Sequence, residues 1–270
     1  MKRILLATVA AIALLAVSAV ASVATSTTTS PVLGSTVPLG VTRSPLVPPT
    51  CPKGVSEANC TIVLTRSTAL ETIRDGVSYP TTVTQPGLIV AWTVGLSRLS
   101  NSTRTADNSI RYLDATFHGN AEAGITVLGP VGASSLHEWR VVAHSPFLHV
   151  QPWLGYVVQF PLATPLPVTA GDVIALTTPT WVPVLSFDLS PTEFAYRQSR
   201  TANCAGPAAS NQAQLTVGES TRYLCSYPGT RVEYGAAEVT QPPLPDNQLH
   251  ATDNGLAVSR RRGSVGRRRN

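Results

Sequence analysis

The sequence predicts an all-β protein, an antiparallel two-sheet sandwich that is jelly-roll-like and carries one or two short helical turns. Three observations lead there. Short apolar runs repeat with period two along the middle of the chain, and 22 prolines and 19 glycines spread through its 270 residues separate them. Amphipathic segments of ten or more residues, which an α/β fold needs between parallel strands, do not recur.

The chain begins MKRILLATVAAIALLAVSAVASVATS, where Lys2 and Arg3 precede an uncharged run from Ile4 to Ala24. Small residues offer cleavage after Ala21 or Ala24, so residues 1–24 read as a secretory signal peptide and the mature chain is expected to be secreted or in the cell envelope. Because the run is long for a signal, a retained anchor is the alternative. Residues 25–50 are dominated by Thr, Ser, Pro, Gly and Val without a repeating apolar face, and are expected to be a flexible leader. The folded part is then a single β-sandwich domain over 51–240, and the proline cluster and arginines of 241–270 read as a disordered basic tail.

The formal net charge of +5 suggests nucleic acid, but its distribution does not. Eight of the 20 basic residues are Lys2, Arg3 and Arg260, Arg261, Arg262, Arg267, Arg268 and Arg269, which leaves twelve bases against 15 acids elsewhere. No specific nucleic-acid partner is predicted. The tail can make nonspecific contact with anions by counterion release.

Cys51 and Cys60 are neighbours in sequence, as are Cys204 and Cys225. In an exported chain they are expected as disulfides, paired locally within each couple in preference to the two other connectivities. Their spacing does not fit a zinc ribbon.

The strands follow in order. In GLIVAWTVGLS, Leu88, Val90, Trp92, Val94 and Leu96 share the face expected in the core, opposite Ile89, Ala91, Thr93, Gly95 and Ser97. SIRYLDATFHG places Leu113, Ala115 and Phe117 in phase and reads as a strand, as does AGITVLGP. HEWRVVAHS, GYVVQFPL, DVIALTT, WVPVLSF, AQLTV and TRVEYGAAEV complete the set. Two stretches, TALETIRDGV and SPTEFAYRQSRTANCAG, are the candidates for helical turns, the second with a capping-box form at Ser190 and Glu193.

Candidate chemistry is sparse. In LPVTAGDVIALTT, Gly171 supplies a turn and Asp172 is expected to accept hydrogen bonds from its backbone, a structural role. As a catalytic acid, Asp172 would need a partner, and the sequence does not choose among Asp114, Glu122, Glu138 and Asp188. His137, His144 and His149, with His118 and Glu122, form an imaginable metal cluster, but strand parity turns His144 away from His137 and Pro146 interrupts the way to His149. No metal or cofactor is predicted. A Gly-x-Ser-x-Gly elbow is absent from the sequence, and the thiols are expected to be oxidised. The aromatic signal is better. Trp92 and Trp139 have apolar companions on their own faces, whereas Trp153, Tyr156 and Trp181 are the candidates for ligand contact, since flat rings stack on sugar faces.

The order GLIVAWTVGLS, ITVLGPVG, WRVVAHSPF and FPLATPLPVTAGDVIALTTPTW, over residues 80 to 187, resembles uncharacterised exported proteins of high-GC Gram-positive bacteria. That resemblance implies export and a jelly-roll-like sandwich and transfers no functional residue. The expected function is therefore a noncatalytic secreted or cell-envelope module that binds a carbohydrate or another surface polymer. A secreted hydrolase or lyase with paired carboxylates is one alternative, and a purely structural or protein-binding surface component is the other. Oligomeric state is not legible.

Overall fold

A computed structural model of the chain describes residues 35–56, 60, 62–132, 137–200, 204 and 211–240, all within one compact unit. The expected signal peptide of 1–24, residues 25–34 of the expected leader and the expected tail of 241–270 lie outside the described residues.

In chain order the elements are β1 (Thr36–Leu39), β2 (Leu64–Arg74), β3 (Val77–Ser78), β4 (Gly87–Gly95), α1 (Thr103–Phe117), β5 (Glu122–Pro130), β6 (Glu138–His144) and β7 (Leu148–His149). After a 3-10 turn at Gln151–Trp153 come β8 (Val157–Val168), β9 (Val173–Val182), β10 (Leu185–Ser186), β11 (Phe194–Gln198), β12 (Ser220–Arg222), β13 (Cys225–Pro228), β14 (Arg231–Val232) and β15 (Tyr234–Thr240). All pairings are antiparallel. One sheet runs β1-β15-β4-β8, and the larger runs β12-β6-β5-β9-β2-β11-β13 with β3 on β2 and β7 on β5. Trp92 of β4 and Tyr234 of β15 meet Ile125 of β5, Leu176 of β9 and Leu64 of β2 in a single buried cluster, so the two sheets form a sandwich. Burial of these apolar surfaces supplies the main favourable term in folding.

Several expectations need correction. SIRYLDATFHG is part of a helix, not a strand. Ser102 caps α1 by accepting from the Thr105 amide at 3.4 Å, and His118 ends it in the left-handed region at φ 58°. Ile110, Leu113 and Phe117 pack against the core at the i, i+3, i+7 spacing of one helix face, which a period of two misread. The described parts of the two expected helical stretches instead fall in strands and turns. TALETIR lies within β2, which is covered on both faces and so loses the alternation that marks a strand. Ser190 accepts from the Glu193 and Phe194 amides in a turn, and β11 follows at once.

AQLTV forms no strand; the neighbouring edge strand is β12. In β4, the pairing shifts at a bulge between Ile89 and Ala91, which buries Ile89 and leaves Leu88 exposed while Trp92 and Val94 keep the core. The leader is also not free over its described part. β1 pairs with β15, and Pro38 is tolerated because β1 is an edge strand. The folded domain therefore starts before Cys51.

The corner from β8 to β9 carries the chain from the smaller sheet to the larger. Gly171 takes φ 95° there, and Asp172 Oδ2 accepts from the Thr169 amide at 2.8 Å and its hydroxyl at 3.0 Å. Cys51 is bonded to Cys60 and Cys204 to Cys225, closing sequence separations of 9 and 21 residues. Two such crosslinks persist in oxidising surroundings.

Candidate functional site

The most perturbed carboxylates lie where no substrate reaches. Glu71 and Arg74 of β2 are wholly buried, with Oε2 and Nε 2.5 Å apart. Arg74 Nη2 also donates to the carbonyls of Val232 and Tyr234, both at 2.8 Å, and Nη1 donates to the Gly40 carbonyl. Glu71 Oε1 accepts from the Val232 amide at 3.2 Å. Beside them Arg231 faces Glu233 at 3.3 Å and donates to the Ser44 and Pro45 carbonyls, while Glu233 accepts from Ser186 Oγ at 2.7 Å and from the Val47 amide at 3.3 Å. Burial pushes the Glu71 carboxyl up to about 7 against the downward pull of Arg74, and burial also raises Glu233. This cluster fastens residues 40–47 to the sandwich.

The other candidate acids are held apart in separate structural roles. Asp114 accepts from Trp181 Nε1 at 3.0 Å, Glu138 pairs with Arg222 at 3.6 Å, Asp172 holds its corner, Glu122 stands across from His149 in the β5–β7 pairing, and Asp188 is exposed. His144 stacks on Phe147, and His118 terminates α1. Among the described residues no group of three His, Cys, Asp or Glu side chains is placed to hold a metal ion.

Trp181 is corrected as a ligand-contacting ring. Its indole is fully buried, and Nε1 is taken up by Asp114 and by the Gly119 carbonyl at 3.1 Å. Trp153 and Tyr156 are different. Trp153 is 38% exposed and Tyr156 65%. Trp153 meets Phe160 edge-on at 5.2 Å, and Phe160 lies 4.7 Å from buried Trp92, so a row of rings supports the turn from the core outward.

The turn carrying both rings is fixed against the end of β4. Leu96 exchanges backbone hydrogen bonds with it, donating to the Tyr156 carbonyl at 2.9 Å and accepting from the Gly155 amide at 2.8 Å. Gly155 adopts φ 93°, and a Cβ there would stand 3.3 Å from Arg98 Cβ, so a side chain would crowd the Arg98 stem. The result is an open cleft of about 290 Å³ lined by Arg98, Ser100, Asn101, Thr103, Leu154, Gly155 and Tyr156, together with Ala106. A smaller recess of about 120 Å³ lies against the same Arg98–Asn101 loop and reaches Thr50 and Cys51. Among the described residues, no hydrogen bond or ion pair engages the side chains of Arg98, Asn101 or Tyr156. Trp153 sits on the same turn but does not line the cleft.

Neither Arg98 nor Asn101 is a ligand candidate on sequence grounds, Asn101 standing out only as the start of an Asn-Ser-Thr sequon. Their signal is the polar stretch SRLSNSTR between a strand and a helix cap, which was hidden while the helix was read as a strand.

A second cleft of about 350 Å³ beside Cys204 contains the stacked pair Tyr196 and Tyr227, centroids 4.8 Å apart, with Gln198, Arg200 and Asn211. Its polar groups largely serve one another: Gln198 Nε2 donates to Tyr227 OH at 2.9 Å, and Asn211 Nδ2 to the Thr65 carbonyl at 2.9 Å. The first cleft therefore has the more available hydrogen-bonding groups. No protein-family model matches the chain, and no curated protein does.

Proposed function

We propose that this chain is a noncatalytic, exported binding module of the cell envelope or extracellular space, and that its ligand is a carbohydrate held in the Tyr156 cleft. One observation carries the reading. An exposed phenol ring, a guanidinium, a carboxamide and two hydroxyl side chains line one rigidly backed cleft, and its ring and its largest polar groups have no partners within the described protein. A sugar presents an apolar C–H face and a rim of hydroxyls, which such a ring and such polar groups match. The burial of Glu71 and Glu233, the carboxylates that burial raises and that pair with Arg74 and Arg231, favours binding over hydrolysis. The two disulfides and the signal-like N-terminus support export.

Tryptophan fluorescence of the full chain, titrated with soluble glycans and cell-wall fragments, tests this. Trp153 is the most exposed of the four indoles and reports on the turn. A saturable change that Tyr156→Ala abolishes is the expected result. No change across the panel retires carbohydrate binding and leaves a structural or protein-binding role.

A further inference from the structure

We infer that the saccharide bound in the Tyr156 cleft is acidic, a sugar bearing a carboxylate that the Arg98 guanidinium receives. The inference rests on the carbohydrate reading above and adds the charge of the ligand to it.

The electrostatics of the cleft are one-sided. Among the described residues, Arg98 is the only ionic side chain lining either the cleft or the recess behind its loop, and no described carboxylate lines them. The segment Ser97–Ala106 contains Arg98 and Arg104 and no acid, in a chain whose acids outnumber its bases once the two arginine-bearing ends are set aside. The first turn of α1 has no acidic residue, and Asp107, the nearest acid in sequence, does not line the cleft. Most other arginines of the described body are occupied: Arg74 and Arg231 in the buried cluster, Arg43 on Glu193, Arg222 on Glu138, Arg111 on Asn108 and Arg197 on the Tyr223 and Leu224 carbonyls. Arg98 instead crosses Gly155, whose missing Cβ admits the stem, and shares the cleft with the Tyr156 ring.

A guanidinium offers a planar fork that matches a carboxylate in two parallel hydrogen bonds, whereas neutral hydroxyls use only part of that capacity. At about 290 Å³ the cleft lies at the small end of ligand sites and suits one or two sugar rings. A ring stacked on Tyr156 with its carboxylate toward Arg98, and hydroxyls toward Asn101 and Thr103, satisfies every uncommitted group at once.

The test compares a short oligogalacturonate with its fully methyl-esterified form, which keeps the sugar faces and removes the charge. Calorimetric titration of the full chain at low salt is expected to show the acid binding about fivefold to tenfold more tightly than the ester. That ratio is expected to shrink as salt is raised and to approach one in Arg98→Gln. Tyr156→Ala is expected to weaken both ligands. Circular dichroism checks that each variant folds, and Arg98→Lys, which keeps the charge without the fork, is expected to retain part of the ratio. Equal affinity for acid and ester, with both lost in Tyr156→Ala, overturns the charge inference and leaves the carbohydrate reading standing. An acid preference that survives Arg98→Gln places the charge recognition elsewhere and also overturns it. No binding of either ligand, with neutral glycans silent as well, overturns both.

Discussion

Two regions of this molecule concentrate polar side chains, and they differ in whom those side chains serve. In the cluster of Glu71, Arg74, Arg231 and Glu233, the charges are almost completely excluded from water and their partners are one another, the Ser186 hydroxyl and the backbone of residues 40–47, β14 and β15. In the Tyr156 cleft, Arg98, Asn101 and Tyr156 are exposed and have no such partners among the described residues. Glu71, whose carboxyl burial raises, is satisfied from within by Arg74 and the Val232 amide. A buried pair is costly to break because the surviving charge keeps its desolvation penalty.

This contrast can be broken by mutation. The largest effect is expected for Arg74→Met, which strands the Glu71 carboxylate and frees the Gly40, Val232 and Tyr234 carbonyls. A loss of about 3–5 kcal/mol in urea unfolding is expected, and a loss below about 1 kcal/mol would mean the cluster does not fasten the N-terminal segment. Next is Trp181→Phe, which leaves Asp114 and the Gly119 carbonyl without their shared donor and opens a small cavity where the larger indole was buried. It should cost about 1–3 kcal/mol by the same measurement.

Smaller, and opposite in sign at the two ends of the scale, are the pH effects. Glu71 is raised from 4.5 to about 7 by burial, so its contribution to stability is fully present below pH 4.5 and is lost as pH rises toward 7. Burial also acts upward on Asp75, but hydrogen bonds from Ser44 and Thr42 outweigh it and lower its carboxyl from 3.8 to about 2; that contribution is present above pH 3.8 and is lost as pH falls toward 2. Thermal melts across pH should therefore show an upper limb that Glu71→Gln flattens. A wild-type melting temperature that climbs between pH 4.5 and 7, with no such limb, would contradict the burial of a charged Glu71 as the governing cause. The smallest stability effect is expected for Tyr156→Ala, within about 0.5 kcal/mol, because the ring is mostly in water.

Much of the sandwich was readable because period-two patterning survives where one face of a strand is buried, as in the Trp92–Val94 end of β4 and in β6. It failed where tertiary structure removed the pattern. β2 is buried on both faces, so TALETIR had the look of a helix, and the bulge at Ile89 reversed the faces of half of β4. α1 was missed because Leu113 and Phe117 fit a period of two as well as a helical stripe, and its decisive signal is a cap at Ser102 lying upstream. β1 is four residues long among prolines and threonines, and only its pairing with β15 makes it a strand. At the site, Tyr156 was visible as an aromatic on a proline-containing bend. Arg98 was not, since what brings it to Tyr156 is the contact of two loops 58 residues apart, visible only as the hydrogen bonds of Leu96 and the open flank of Gly155.

The most direct single test is residue-resolved: amide and indole NMR shifts of the full chain during titration with the tightest glycan of the panel. Perturbations are expected to gather on Arg98–Thr103 and Trp153–Tyr156 and to leave Glu71, Arg74 and the 40–47 segment unmoved. Shifts centred on Gln198, Asn211 and Tyr227, or a saturating glycan that moves nothing at the Tyr156 turn, would contradict this expectation.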